Sequence, residues 1–215
     1  ITITTNSPNN FLNRSKLELN SKIKMNIIIL SGPICSGKST VSKIFKKYGY
    51  RILSSDIIAK NIIRKNKILQ KKISVLFKDM TIFQNRVNWR KLREYAFLDK
   101  KSILKYNKLV HPYFFKELNQ IILNSKKDTI IELPLIEKLS NINHKIFVIS
   151  VISNKQIRLE RLKKRNIGDK TIYNIVSSQK NNSFYVKKSD FTIRNNGTIT
   201  KLKKSVNTLR DLLNE

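Results

Sequence analysis

The strongest constraint in this sequence is the stretch at residues 32–39, GPICSGKS, which matches the pattern G-x-x-x-x-G-K-[ST] completely. It follows the apolar run at 27–30 and precedes apolar residues at helical spacing in 40–45, so it lies between a predicted buried strand and a predicted helix. In such a loop the glycines let backbone N–H groups point at phosphate oxygens, and the helix that begins near Gly37 adds the positive end of its dipole. The stretch therefore predicts a site for the phosphates of ATP.

Two side chains in this stretch carry the chemistry that the motif predicts. Lys38 can bridge the β- and γ-phosphates, and the Ser39 hydroxyl can complete the coordination of Mg²⁺. We expect Cys35 to be a small filler whose backbone matters, rather than a reactive thiol. The predicted ATP-binding residues form the consecutive set Gly32, Pro33, Ile34, Cys35, Ser36, Gly37, Lys38, Ser39 and Thr40.

The composition bounds the class of protein. The chain has 215 residues, 40% hydrophobic and 27% charged, a balance typical of one substantial globular domain with at most a small insertion or lid. Its single cysteine excludes an internal disulfide, and no apolar run approaches the ~20 residues of a membrane-spanning helix. We therefore expect a cytoplasmic protein without a membrane segment, present as a monomer or weak homo-oligomer.

The formal net charge of +30 would favour nucleic-acid binding if the lysines formed one stripe. They are instead scattered along the chain, together with an excess of Ile and Asn, and all three are encoded by A/T-rich codons. Base-composition drift is the simpler explanation. We expect no specific nucleic-acid partner, although the charge attracts polyanions weakly.

Strands alternate with helices along the chain. The apolar runs at 27–30, 129–133 and 146–151 are predicted parallel strands covered on both faces, and shorter strands are predicted at 51–54 and 191–193. Helical patterns occupy 57–73, 88–124 with a break at His111-Pro112, 155–188 and 202–213. This order predicts a doubly wound α/β fold with a central parallel sheet. Residues 1–24 are predicted to be a disordered tail or an upstream extension ahead of Met25.

Asp56 follows the second predicted strand, at the edge where α/β sheets place their ligand crevice. A carboxylate there can accept a proton from a hydroxyl that attacks the γ-phosphate. Asp56 before Ile57-Ile58-Ala59 also suits a helix N-cap. The residues alone leave these two roles equally weighted.

The motifs taken together resemble the dephospho-CoA kinase family. The resemblance covers residues 25–215 and includes the phosphate-binding loop. It also includes two arginines of a lid, Arg161 and Arg165, followed by Gln179, Asp190 and Asn195-Asn196-Gly197. Its most specific part is Asp56-Ile57-Ile58-Ala59 followed, at this distance, by His111-Pro112. The further landmarks are Ser54-Ser55, Trp89-Arg90-Lys91-Leu92-Arg93, Phe97 and Pro134-Leu135-Ile136-Glu137.

This resemblance implies transfer of the ATP γ-phosphoryl group to the ribose 3′-hydroxyl of dephospho-CoA, on a three-layer α/β/α P-loop fold. It implies that Asp56 is the catalytic base and that Arg161 and Arg165, on a helical lid at 155–188, neutralise charge on the transferred group. It places a helical acceptor-binding region at 57–124, with Arg90 and His111 as substrate-binding candidates. A solvated basic helix face is the alternative for the lid arginines, and a packed helix-boundary residue for His111.

Several positions depart from the family pattern. Pro33 and Cys35 stand where the family has glycine, which restricts the loop backbone, and Ser54 replaces the first acid of the family's Asp-Ala-Asp. Two other hypotheses remain: a different small-molecule kinase of the nucleoside monophosphate type, which shares the loop and lid, and a basic nucleic-acid-binding protein. The Lys38-Ser39 pair argues against the second, because a binding module does not need it.

Overall fold

The architecture is given by a computed structural model, which describes residues 3–5, 26–77, 82–83, 86–133, 146–164, 172, 176–177 and 179–214. The strands are β1 (Ile3–Thr5), β2 (Ile27–Ser31), β3 (Arg51–Ser54), β4 (Ile82–Phe83), β5 (Arg86–Val87), β6 (Thr129–Glu132), β7 (Ile146–Ile152) and β8 (Phe191–Arg194). The helices are α1 (Lys38–Lys46), α2 (Ser55–Lys65), α3 (Lys67–Leu76), α4 (Trp89–Ala96), α5 (Lys100–Leu123), α6 (Lys155–Lys163), α7 (Asn182–Lys187) and α8 (Ile199–Asn214).

The main sheet has the strand order β1-β8-β7-β2-β6-β3. Each neighbouring pair among β8, β7, β2, β6 and β3 is parallel. β1 pairs antiparallel with β8 and forms the edge of the sheet. Every residue of β2 is buried, as expected for a strand with neighbours on both sides and helices on both faces. The predicted α/β fold with a central parallel sheet is confirmed.

The chain forms two compact units. The sheet unit comprises Ile1–Ser54, Ile122–Arg165 and Lys180–Glu215, and the helical unit comprises Ser55–Ile121 and Asn166–Gln179. In the sheet unit, β-branched and aromatic residues of the sheet pack against the buried faces of α1 and α8; Phe45 of α1 is fully buried and lies edge-on to Tyr50. This core fixes the carboxyl end of β2 and the start of α1, where the phosphate-binding motif lies.

The helical unit has a separate core. Buried residues of α2, α3 and α4, among them Ile63, Ile73 and Leu92, pack with Val110 of α5, and the β4-β5 hairpin lies between α3 and α4 in the sequence. Among the described residues, no helix is long and apolar enough to cross a membrane.

Two expectations about local structure are wrong. α5 continues through His111-Pro112 instead of breaking there, because Phe114, Leu118 and Ile122, at spacings of four residues, keep one face of the helix buried past the proline. Residues 3–5, which we expected in a disordered tail, form β1. Their β-branched side chains favour extended structure, and β8 offers an edge to pair with. The other residues of 1–24 lie outside the described part of the chain.

Phe45→Ala should lower the free energy of unfolding by about 3–5 kcal/mol, because it leaves a cavity in the core that supports the loop. Urea denaturation followed by circular dichroism measures this. Leu123→Ala is the matched control: Leu123 is 59% exposed, so its truncation should change stability by less than about 0.5 kcal/mol. Equal losses for the two variants would contradict the proposed core.

Candidate active site

The loop between β2 and α1 is shaped by glycines that no other residue can replace. Gly32 has φ 134° and Gly37, which precedes the first residue of α1, has φ 107°. A Cβ on Gly32 would collide with the backbone oxygen of Val151, and a Cβ on Gly37 would collide with the side-chain nitrogen of Asn195. Both glycines are therefore required for conformation and for space.

Cys35 also adopts a left-handed conformation, with φ 57°, and it is the one non-glycine residue with positive φ in the described part of the chain. Its side chain is buried, and Pro33 is buried as well. The carbonyl of Pro33 accepts a hydrogen bond from the Ser36 N–H at 3.3 Å, which closes the turn. The loop thus tolerates both departures from the family glycines, with backbone strain of about 1–2 kcal/mol at Cys35.

The Lys38 ammonium is held over the loop that precedes it. Its Nζ donates to the carbonyl oxygens of Gly32 at 2.7 Å and Pro33 at 2.9 Å. Ser39, next along the first turn of α1, is exposed, and that turn contains no acidic residue. The helix start therefore keeps its full positive character, which favours an anion there.

Arg161 of α6 is brought to the same loop. Its Nη1 donates to the carbonyl oxygen of Cys35 at 3.1 Å, with longer contacts of 3.5 Å to the Ser36 oxygen and Ser153 Oγ. Its Nη2 donates to the carbonyl oxygen of Asn195 at 3.3 Å. The guanidinium therefore joins the loop to the segment after β8. Arg165 and residues 134–137 lie outside the described residues.

Asn195 is a site residue to which the sequence assigned no role. It is 5% exposed, its Nδ2 donates to the Ser36 carbonyl at 2.8 Å, and its own carbonyl accepts from Ser153 Oγ at 2.8 Å. The signal was the Asn195-Asn196-Gly197 turn that the resemblance included. Its structural role follows from the pairing of β8 with β7, which brings it to the loop.

Arg158 is a second residue that sequence reasoning missed. Its side chain is buried beside Cys35 and Tyr185, and its Nε has no hydrogen-bond partner among the described residues. Burial lowers the pKa of this guanidinium, and Tyr185 and Cys35 partly oppose that shift. Two arginines one helical turn apart, Arg158 and Arg161, thus both lie near the phosphate-binding loop.

A third missed residue is Glu132, the last residue of β6. It pairs with Leu30 of β2 on one side and with Ser54 of β3 on the other, so it lies at the carboxyl edge of the sheet, one residue short of the end of β2. A carboxylate that ends an otherwise apolar strand was the available signal. Carboxylate oxygens are ligands that Mg²⁺ prefers, although the described residues contain no group of three or more His, Cys, Asp or Glu that could hold a metal.

Asp56 belongs to the helical unit, where it lies in the first turn of α2 and is exposed. Because α2 begins at Ser55, Asp56 is inside the helix, and the alternative role as its N-cap is wrong. The carboxylate is favoured there by the positive end of the helix dipole. It also has an effect inside the helical unit: burial, and secondly the Asp56 charge, raise the pKa of Tyr106 to about 12.

The two substrate-binding candidates also lie in the helical unit. Arg90 of α4 is exposed and forms an ion pair with Glu94 at 3.9 Å. The His111 ring of α5 lies edge-on to the Phe115 ring, with 5.6 Å between centroids. No contact joins Arg90 to His111 in the described residues, so the structure does not bring these two together.

Comparison with known proteins places these features in a family. The sequence profile described as dephospho-CoA kinase matches residues 26–201. A dephospho-CoA kinase of Fusobacterium nucleatum is 33% identical over 186 residues, covering 84% of this chain and 94% of the relative. One of Bacillus cereus is 32% identical over 181 residues, covering 80% and 90%. These matches give no comparable support to the alternative hypothesis, a different small-molecule kinase of the nucleoside monophosphate type.

Solved structures agree on the fold. TT1252 from Thermus thermophilus superposes with a TM-score of 0.69 at 20% identity, covering 89% of this chain and 99% of its own. A dephospho-CoA kinase from Campylobacter jejuni gives a TM-score of 0.62 at 23% identity, covering 88% and 98%. A shikimate kinase from Bacteroides thetaiotaomicron, at 0.53 and 12%, has the same type of fold.

Gly37→Ala should raise the KM for ATP by roughly tenfold or more, because the new Cβ displaces Asn195 from the loop carbonyl that it holds. Gly49→Ala is the matched control. Gly49 also has positive φ, 87°, but a Cβ there meets nothing within 4 Å. It should lose stability through backbone strain, about 1–2 kcal/mol, and keep the KM for ATP. Steady-state kinetics and urea denaturation on both variants separate the effects, and an unchanged KM in Gly37→Ala would contradict this loop geometry.

Tyr106 should make the protein less stable at high pH. Below pH 10 the phenol is protonated in the folded and the unfolded chain, whereas between pH 10 and about 12 only the unfolded chain ionises, so stability falls across that window. Tyr106→Phe removes this contribution. Urea denaturation at pH 8 and pH 11 should show a smaller loss in the variant than in the unaltered protein; equal losses would show that Tyr106 does not titrate abnormally.

Proposed function

The chain belongs to the dephospho-CoA kinase family, and from that premise we propose which of its residues perform each part of the reaction. The enzyme is an ATP-dependent kinase that transfers the γ-phosphoryl group to the ribose 3′-hydroxyl of dephospho-CoA and forms CoA, the final step of CoA biosynthesis. The observation that carries the assignment of roles is the loop of residues 32–39, held in shape by Asn195 and Arg161 and containing Lys38.

The donor half of the site is assigned to the sheet unit. Backbone N–H groups of the loop from Gly32 to Ser39, except Pro33, which has none, bind the ATP phosphates. Two features fit that ligand: a helix start without an acid, and a fully buried Ser36 hydroxyl that has no partner among the described residues. The Lys38 ammonium exchanges the carbonyl oxygens of Gly32 and Pro33 for phosphate oxygens when ATP binds. This places the positive charge of Lys38 beside the bond between the γ-phosphorus and the β,γ-bridging oxygen, which breaks in the reaction.

Arg161 is assigned two tasks. Its hydrogen bonds to the carbonyls of Cys35 and Asn195 position the loop, and its positive charge offsets the negative charge that grows on the transferred phosphoryl group. Arg165 keeps the role of a second lid arginine as a prediction. Arg158, buried one turn before Arg161, adds positive charge beside the same loop.

Asp56 is assigned as the general base. It accepts the proton of the 3′-hydroxyl while the hydroxyl oxygen forms its bond to the γ-phosphorus, and the bond from that phosphorus to the β,γ-bridging oxygen breaks to release ADP. Its support is its position: β3 ends at Ser54 in the same parallel sheet as β2, and Asp56 follows two residues later. The proton stays on the Asp56 carboxyl group until turnover is complete and is then released to solvent.

The oxygen ligands at the sheet edge fit Mg²⁺. We assign the Ser39 hydroxyl and the Glu132 carboxylate to it, because a hard cation that keeps several waters needs only one or two protein oxygens besides the phosphates. When bound, the ion neutralises phosphate charge. The remaining expectations stay predictions: the helical acceptor region at 57–124 with Arg90 and His111, the lid at 155–188, a cytoplasmic location, a monomer or weak homo-oligomer, and no specific nucleic-acid partner.

Asp56→Asn should lower kcat by on the order of 10²-fold or more, with little change in the KM for ATP, because the amide cannot accept the hydroxyl proton. ADP release with ATP, Mg²⁺ and dephospho-CoA measures this. The matched control is Asp99→Asn. Asp99 Oδ1 accepts the Ser102 N–H at the start of α5, and asparagine can do the same, so kcat should be unchanged.

A panel of acceptors tests the function itself. The unaltered protein should turn over dephospho-CoA in preference to AMP and adenosine. Turnover of AMP with none of dephospho-CoA would contradict the acceptor, and full activity in Asp56→Asn would contradict the base.

A further inference from the structure

A recess in the helical unit brings together two arginines and the tryptophan. It has a volume of about 230 Å³ and is lined by Arg64 from the last turn of α2, Arg86 and Val87 from β5, and Trp89 from the first turn of α4. The ammonium of Lys60, one turn before Arg64 on α2, lies 5.8 Å from the centroid of the Trp89 ring. Three elements therefore converge on one cationic pocket with an aromatic wall.

The charges of this recess are not compensated within it. None of its lining residues is acidic, and neither Arg64 nor Arg86 forms an ion pair with a carboxylate in the described residues. Both side chains are exposed, so they can reorient toward a ligand. Two guanidinium groups that face one pocket bind phosphate oxygens through charge-assisted, often bidentate hydrogen bonds.

The recess lies at a fixed distance from Asp56 along a single helix. Asp56, Lys60 and Arg64 are spaced by four residues and so share one face of α2. At ~1.5 Å per residue, Lys60 is about 6 Å and Arg64 about 12 Å from Asp56 along the axis. In dephospho-CoA only the ribose ring and one methylene separate the reacting 3′-hydroxyl from the 5′-diphosphate. With the hydroxyl at Asp56, the diphosphate reaches the level of Lys60 and Arg64.

We propose that the recess formed by Arg64, Arg86 and Trp89, with Lys60 at its edge, binds the 5′-diphosphate of the acceptor and so positions its 3′-hydroxyl at Asp56. This inference rests on the proposed function, because it names the part of dephospho-CoA that the helical unit recognises. Val87 and the indole face give the pocket an apolar side, against which the methylenes next to the diphosphate pack.

Trp89 allows a direct test, because it is the one tryptophan in the 215-residue chain and its fluorescence reports the recess alone. The full-length protein without ATP is titrated separately with dephospho-CoA, inorganic pyrophosphate and pantetheine. Dephospho-CoA and pyrophosphate should each give a saturable change in Trp89 emission and compete with each other, whereas pantetheine should give none. A response to pantetheine with none to pyrophosphate would overturn the proposal. So would a pyrophosphate response that dephospho-CoA does not displace, which would indicate a separate anion site.

The double variant Arg64→Gln/Arg86→Gln tests the two guanidinium groups. The dissociation constant and the KM for dephospho-CoA should both rise roughly 10- to 100-fold, with kcat and the KM for ATP within about twofold of the unaltered protein. Lys71→Gln/Lys116→Gln is the matched control, since it removes two exposed charges of the same unit that do not line the recess and should leave every constant unchanged. A KM for dephospho-CoA that changes equally in both double variants would overturn the proposal.

The failure of this inference and that of the proposed function give different results. If the unaltered protein does not phosphorylate dephospho-CoA, the function is wrong and the inference falls with it, even if pyrophosphate still changes Trp89 emission. If turnover is normal and the Arg64→Gln/Arg86→Gln variant behaves like the unaltered protein, the function stands and the recess is not the diphosphate site.

Discussion

A loop that turns its N–H groups toward phosphates must leave carbonyl groups on its other side, and those carbonyls need donors of their own. In this protein the donors come from distant segments: Asn195 holds the Ser36 carbonyl, and Arg161 holds those of Cys35 and Asn195. Because Asn195 fills the space where a Cβ on Gly37 would go, the loop and the segment after β8 are matched in shape as well as in hydrogen bonding. The rest of the site depends on this match, since it fixes where α1 begins.

The same match explains how the loop accepts other residues at two positions where the family has glycine. Pro33 and Cys35 restrict the backbone, yet the turn between Pro33 and Ser36 closes and Cys35 adopts φ 57°. The strain at Cys35 is opposed by the hydrogen bond that its carbonyl accepts from Arg161. A charged side chain from α6 therefore supports the backbone where a glycine would need no support. The loss of the family acid at Ser54 is a different case, because nothing in the described residues replaces it there, whereas Glu132 supplies a carboxylate on the neighbouring strand.

In the helical unit, the groups that we propose for the acceptor follow one another along a single helix. The first turn of α2 carries the proposed base Asp56, Lys60 lies over the Trp89 ring one turn later, and Arg64 in the last turn lines the cationic recess. Ile63, three residues after Lys60, supplies a fully buried side chain to the unit's core. A rigid helix sets the distances between these groups without a long loop. The cations behind the net charge of +30 are therefore not all alike, since Arg64 and Arg86 line one recess while many others are simply exposed on helices.

The sequence by itself determined the phosphate-binding loop, the alternation of strands and helices and the order of the later landmarks, because these depend on short-range patterns: glycine spacing, continuous apolar runs, apolar residues at helical spacing, and a lysine beside a serine. It did not determine that α5 passes through Pro112, that residues 3–5 form an edge strand, that Asn195 and Arg158 lie beside the loop, or that Glu132 lies at the carboxyl edge of the sheet. These were decided by tertiary structure. A proline is tolerated when the helix around it is held by packing, and a side chain joins a site when strand order brings it there from more than a hundred residues away, which no local pattern records.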